Sequence, residues 1–353
     1  MQFIFNLVSF AVLLTIIVIV HELGHLITAK YFNVYCSEFS IGMGPAIYQN
    51  KKGETTFSVR ALPIGGFVQM AGEEGTDTSD IPFERTIKGI KVWKQVVVMV
   101  AGAVMNIILA WVIFVGIVMA RGSITGPALP VISGIVENSA AQSVGLQAGD
   151  EITKVTLHDG STFIPTTFDE ISEQTAKFPG ERIIYTISRA GSTMDYVVTP
   201  QLDEASGQYL IGVTATRTIV PIKWYESFKY GTITMFDTTR QIISALGNLV
   251  RGVGLNNMSG PVGIFQATSQ ITQSGFTAFV TWLGMLSVNI GIFNLIPIPI
   301  LDGGRILIIL LEKLSGRKIN EKVETAIMMI GVALIVGLML YVTWNDIMRL
   351  FIK

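Results

Sequence analysis

The sequence predicts a multi-span α-helical membrane protein with four transmembrane helices, a membrane-associated β-hairpin loop between the first two, and an inserted α+β domain. Three observations carry this. Half of the 353 residues are hydrophobic while only 14% are charged, and mean hydropathy is +0.54, a composition of membrane chains rather than soluble domains. Long stretches carry no charge at all. Between residues 122 and 217 the charges and turn residues return.

Met1 to Val20 is uncharged and the apolar pattern continues to Ala29, giving a first span at about 4–29, closed by Lys30. It lacks a basic leader and a small-residue cleavage pattern, and cleavage behind it would discard His21, so a retained helix is expected. The connection to the next span carries Lys51, Lys52, Arg60, Arg85, Lys88 and Lys91, which makes it cytoplasmic and the N-terminus external. Within it, residues 38–70 alternate apolar and polar side chains, with a turn at Asn50-Lys51-Lys52-Gly53 and flexible points at Gly42, Gly44, Gly65 and Gly66, which reads as β-hairpins. The exposed edge of such a loop either accepts an extended peptide as an added strand or is a plain cytoplasmic hairpin; spacing does not separate the two.

The second span covers about 92–120, with Asn106 as its strongly polar group, either a tie between helices or a residue facing a site. Membrane-core residues 1–121 are followed by the external domain, 122–217, with strands at Val131 to Val136, Glu151 to Leu157, Arg182 to Arg189 and Met194 to Gln201, and a helix at Thr167 to Lys177. Residues 218–275 form a connector. Its aromatic and cationic first part, Ile222 to Arg251, suits an amphipathic helix at the membrane surface, and Ser259 to Gly263 an interfacial or re-entrant turn. The second membrane part, 276–353, holds a third span at about 276–297, a helix at 302–314 and a fourth span at about 325–345. Lys313, Arg317, Lys318 and Lys322 mark a second cytoplasmic loop, so the C-terminus is external. A net charge of -1 argues for no nucleic-acid partner, and the single cysteine, Cys36, excludes an internal disulfide.

The chemistry lies in His21-Glu22-Leu23-Gly24-His25. Histidines four apart on a helix share one face and can hold one metal ion, and the glutamate beside them can reach a metal-bound water. A catalytic zinc takes three protein ligands and leaves one position for water. No other histidine occupies a span, and Asp302 is the only acid between Gly252 and Leu311, so it is the candidate third ligand; alternatively it caps the helix that starts there. Asn294 either donates to a substrate carbonyl or caps the helix broken before Pro297 and Pro299. These residues suit metal-assisted peptide hydrolysis, with Glu22 shuttling the proton. Two rival readings are a divalent-metal transporter and an inactive scaffold that binds membrane helices.

Taken together, the His21 to His25 motif, Ala101-Gly102 to Asn106 and Asn294 to Gly303 resemble the site-2 protease family of intramembrane zinc metalloproteases. Asn138 to Ala141 and Gly145 to Asp150 resemble a PDZ domain, so the likeness is to the bacterial form with one PDZ domain. It implies one catalytic zinc ion on His21, His25 and Asp302, Glu22 as general base, and Asn294, Pro297, Gly65 and Gly66 as substrate-contacting residues. It also implies a multi-pass protein of the bacterial cytoplasmic membrane whose partners are the bilayer and single-span membrane proteins already trimmed by another protease: anti-sigma factors, remnant signal peptides or pheromone precursors. Ala103 departs from the proline that many relatives carry, and the cytoplasmic connection is short.

Overall fold

The computed structural model of the chain describes residues 1–73, 79–203, 208–251, 259–317 and 319–351; Lys318 and residues 256–258 of the connector lie outside them. The chain forms two compact units, Met1–Ala120 with Tyr225–Lys353, and Arg121–Trp224.

Among the described residues, four helices are long and apolar enough to cross a membrane: α1 (Gln2–Tyr31), α2 (Val92–Arg121), α7 (Phe276–Asn294) and α9 (Glu321–Phe351), the last through its segment Lys322–Met348. The chain is a multi-pass membrane protein. Helices α1 and α9 expose large apolar side chains, among them Phe3, Phe5, Leu7, Ile330, Leu334 and Leu340, a surface that suits lipid and would be untenable in water.

Glycines set the close approaches between helices, where van der Waals contact replaces the hydrophobic effect as the driving force. A Cβ on Gly24 of α1 would fall on the Ala101 carbonyl of α2, and one on Gly291 of α7 would lie 3.1 Å from the Ala103 carbonyl oxygen. The amphipathic part of the connector is helix α5 (Glu226–Val250). It packs along α2, with Gly231 against Val115 and Trp111 Nε1 donating to Thr232 Oγ1 at 2.8 Å. Residues expected as an interfacial turn instead open helix α6 (Pro261–Gln273), because Pro261 sits at its first turn, where no N–H is needed. The carboxylate of Asp346 on α9, buried, accepts from the Gly260 and Gly263 amides at 2.9 and 2.8 Å and so caps α6 across 86 and 83 residues.

Helix α7 stops at Asn294, three residues short of the expected end of its span, because Pro297 and Pro299 offer no amide to continue it. The chain turns through Ile300, whose φ of 88° is rare for a β-branched residue, and re-enters as helix α8 (Asp302–Ser315). Gly303 and Gly304 are obligatory there: side chains at either would strike the carbonyls of Leu295, Ile296 and Ile298.

Between α1 and α2, strands β1 (Cys36–Lys52) and β2 (Thr55–Met70) curl into more than a hairpin. The start of β1 pairs on one side with the end of β2 (Phe39↔Val68, Ile41↔Gly66) and on the other with its beginning (Phe39↔Phe57, Ile41↔Val59). The end of β1 pairs again with Thr55–Val59, so the turn narrows to Gly53-Glu54, with Lys52 opposite Thr55. Gly42, Gly44 and Gly65, at φ of 84–86°, make the bends that two continuous strands need to fold this way.

The unit Arg121–Trp224 contains strands β3 (Ser123–Ile135), β4 (Glu151–Thr156), β5 (Thr162–Phe163), β6 (Ile183–Arg189), β7 (Ser192–Val198), β8 (Gln201–Asp203), β9 (Gln208–Leu210) and β10 (Val213–Pro221), with short helices α3 (Ala140–Ser143) and α4 (Phe168–Thr175). Its main sheet has the order β10-β3-β4-β6-β7, with β5 paired to β4. Ile132, Ile152, Val155, Ile171, Ile183 and Tyr185 fill its core.

At the end of the Gly145 to Asp150 loop, Arg189 grips the fully buried Asp150 through two 2.7 Å bonds, and the Gln147 amide adds a third at 2.8 Å. The guanidinium holds the Asp150 carboxyl below its usual range. A depressed carboxylate pKa contributes stability that is complete above about pH 4, the unfolded value, and is lost as pH falls through the lower folded value. Arg189→Met is therefore expected to destabilise this unit at neutral pH, because it leaves the Asp150 carboxylate buried without its partner, with the gap narrowing below about pH 4. Hydrogen exchange over residues 121–224 of the full chain measures it; a gap independent of pH would contradict the assignment.

Candidate metal centre

His21 and His25 lie one turn apart on α1, buried, with their rings 4.7 Å between centroids and crossed at 83°. Their Nε2 atoms are 3.1 Å apart, and Oδ2 of Asp302, the first residue of α8, lies 3.1 Å from the first and 3.4 Å from the second. A tetrahedral zinc with ligands at 2.0–2.1 Å separates neighbouring ligand atoms by roughly 3.3 Å, which this triangle matches. Oδ2 is buried with no hydrogen-bond partner among the described residues, an isolation that costs free energy unless a cation answers it. The three side chains fit a catalytic zinc. The capping alternative for Asp302 is not realised: Leu301 is the cap position, and no side-chain bond caps α8.

The remaining imidazole nitrogens are oriented from α2. His25 Nδ1 lies 2.8 Å from the Val98 carbonyl oxygen, so it carries the proton and Nε2 presents its lone pair to the centre. Asn106, completely buried, brings its side-chain nitrogen to 3.5 Å from His21 Nδ1 while its own Oδ1 has no partner among the described residues. Turning the amide over exchanges the two atoms and lets Oδ1 accept from Nδ1–H, which satisfies both groups and leaves His21 in the same tautomer as His25. Ser287 on α7 donates to the Asn106 carbonyl at 2.7 Å. Sequence reasoning left Asn106 as either a tie between helices or a residue facing a site, and favoured the tie; its side chain faces His21. The signal that could have found it is its place four residues after Gly102, on the α2 face that meets the histidines.

Gly102, part of the motif that carries the resemblance, was given no role of its own by sequence reasoning. A Cβ there would lie 2.6 Å from His21 Cε1 and 2.8 Å from its Nε2, and would also strike His25 Nε2. Gly102→Ala is expected to weaken zinc binding roughly 10- to 100-fold, the scale of losses when ligand orientation is disturbed. Competition with a chelator measures it, and unchanged affinity would mean that the rings have room to move.

The centre opens into a cavity of about 680 Å³. Glu22 lines it beside the histidines, Asn294 brings Nδ2 to 3.4 Å from His21 Nε2, and Gly65 and Gly66 form part of the opposite wall. Gly66 has to be glycine, because a Cβ would meet the Ser40 carbonyl oxygen at 2.7 Å and press on Val18 Cγ1 at 3.2 Å. Pro297, by contrast, is exposed in the turn after α7 and outside this lining. Residues Gly65 to Met70, the end of β2, run along the cavity, and among the described residues no strand pairs with their outer edge. Glu73 and Arg305, joined by an ion pair, close another side. His158 belongs to the unit Arg121–Trp224, where it is exposed and 3.3 Å from Glu181.

Comparison with known proteins agrees with this chemistry. The family model for peptidase family M50 matches residues 9–338, a range that contains every residue of the centre. A Clostridium perfringens protein provisionally named a zinc metalloprotease is 36% identical over 98% of each chain. Zinc metalloprotease RasP of Bacillus licheniformis is 30% identical, covering 98% of this chain and all of its own length, and regulator of sigma-W protease RasP of Bacillus subtilis is 29% identical, covering 99% and 100%. With a family match over nearly its whole length and relatives of 30% and 36% identity covered almost end to end, the chain belongs to peptidase family M50, the site-2 proteases, and is a membrane zinc metalloprotease.

Proposed function

We propose that the protein cleaves transmembrane segments of single-span membrane proteins, with His21, His25 and Asp302 as ligands of one catalytic zinc ion and Glu22 as general base. One observation carries the reading: three converging ligand atoms, a carboxylate and an unpaired strand edge share one cavity. A metal transporter has no use for the edge, and a scaffold has no use for the triad.

When bound, zinc supplies Lewis acidity that makes a water molecule acidic near neutral pH. Glu22 takes the proton from that water and returns it to the leaving amine. Asn294 donates its side-chain N–H to the oxygen of the scissile carbonyl, where negative charge develops. A helical substrate shields its peptide bonds, so it has to unwind; the Gly65 to Met70 edge then holds the extended segment by backbone hydrogen bonds, as an added strand. Pro297 acts by ending α7 and directing the chain toward Asp302.

The connection between α1 and α2 is cytoplasmic, and both termini and the unit Arg121–Trp224 are external, in the cytoplasmic membrane of a bacterium. Basic residues in that connection and after α8 support this orientation. The external unit is PDZ-like and excludes substrates whose outer domains have not been trimmed by another protease. The name of the Bacillus subtilis relative points to membrane-bound regulators of sigma factors as one substrate class, beside remnant signal peptides and pheromone precursors.

The test is cleavage of a single-span substrate in vesicles containing the purified protein, with the products located by mass spectrometry. Cuts within the spanning segment are expected. Cuts confined to the aqueous flanks would overturn the proposal.

A further inference from the structure

We propose a second site in the membrane unit, one that binds an anionic phospholipid. It is a cavity of about 580 Å³, within the roughly 300–1,000 Å³ of ligand sites, and it shares Glu73, Met99 and Arg305 with the cavity of the metal centre as a common wall. It lies where the chain enters α2, between the second half of α8 and the start of α9, so it sits at the boundary where apolar spans give way to polar ends.

Its chemistry is two-sided. Ile90, Ile308, Ile309 and Met328 supply an apolar floor, and Lys88, Lys91, Lys313 and Arg317 line the same cavity. Among the described residues that line it, Glu73 pairs with Arg305 and Glu324 with Lys88 at 3.4 Å, while Glu312 accepts from the Ile319 amide at 2.8 Å and keeps its charge, so the cations of the lining still outnumber its acids. Lys91, Lys313 and Arg317 have no ion pair among the described residues, and all three are exposed. Three exposed cations and a set of apolar side chains lining one cavity call for an anion with a greasy tail.

Other occupants fit less well. A small soluble anion gains nothing from the floor. The cytoplasmic flank of a membrane-spanning substrate is typically basic and would be repelled. A phospholipid with a net negative headgroup answers both halves, with its phosphate among the cations. Its acyl chains have a path over α8, which exposes Leu307, Leu310, Leu311 and Leu314. Because α8 also carries Asp302, a lipid seated there braces the helix of the third metal ligand against α2. The site does not depend on the catalytic reading.

Native mass spectrometry of the full chain, released from vesicles of equal phosphatidylglycerol and phosphatidylcholine, tests it. Retention of phosphatidylglycerol over phosphatidylcholine is expected, and the triple change Lys91→Gln, Lys313→Gln, Arg317→Gln should weaken that retention about 100-fold, at roughly tenfold per 1.4 kcal/mol and about 1 kcal/mol per cation. Lys313→Gln alone, at an exposed position, should weaken it about 5-fold and serves if the triple variant does not fold. Lys51→Gln with Lys52→Gln removes charge from the β1 end instead and should leave retention unchanged. Equal retention of the two lipids, no loss in the cavity variants, or the same loss in the Lys51 and Lys52 variant would overturn the proposal. Glycerol 3-phosphate binding as tightly as phosphatidylglycerol would overturn the lipid as occupant.

Discussion

Replacing Glu22 with glutamine is expected to leave zinc bound and to reduce cleavage of a single-span substrate by roughly 10²- to 10⁴-fold, the contribution of a positioned general base. Adjacent residues hold two separate jobs here. On the proposed assignment His21, His25 and Asp302 hold the metal, while Glu22 lines the cavity outside their triangle, so its change to an amide of equal size removes proton transfer without removing a ligand. The measurement is paired: zinc content by elemental analysis, and product formation in vesicles. A variant that retained more than a tenth of the wild-type rate would remove Glu22 from the mechanism. One that lost zinc would make it a ligand instead.

Asp302→Ala is expected to do the reverse, lowering zinc affinity by more than about 100-fold, beyond the roughly 10- to 100-fold scale of orienting residues. Helix α8 should survive. Asp302 makes no capping bond, so the helix loses only the interaction of a carboxylate with its N-terminal dipole, about 0.3–1 kcal/mol. A zinc titration followed by thermal unfolding of the metal-free protein distinguishes these effects. If unfolding temperature dropped sharply while zinc affinity held, the residue would be a helix cap and the third ligand would have to be sought elsewhere.

Much of this was legible in the chain because the strongest signals are one-dimensional. Uncharged runs long enough to span a bilayer, and two histidines four apart within the first of them, declare themselves without tertiary information. Asp302 was reachable by scarcity, being the lone acid in a long neutral stretch. What stayed hidden depends on which faces meet. Gly102 looks like any small residue in a helix until α2 crosses α1 at the histidines, and Asn106 looks like a tie between helices until its amide is seen opposite His21 Nδ1. The double pairing of β1 was hidden as well, since alternation gives a strand's two faces but not how many partners its edges have. Helix α6 was read as a turn because glycine and proline at Ser259 to Gly263 suit either, and the Asp346 carboxylate that decides between them arrives from the last helix.

The conformation of Ile300 bears on how such an enzyme would respond to engineering for heat resistance. A β-branched residue held at φ 88° costs roughly 1–3 kcal/mol, and it stands two positions before Asp302, the proposed third ligand. Ile300→Gly should therefore raise the melting temperature of the metal-free protein while speeding zinc release, because a connection relaxed at that point no longer dictates where Asp302 must stand. Robustness and metal retention are then opposed at a single residue. A search for thermostable variants that scores folding alone would select the relaxed turn and discard catalytic competence with it.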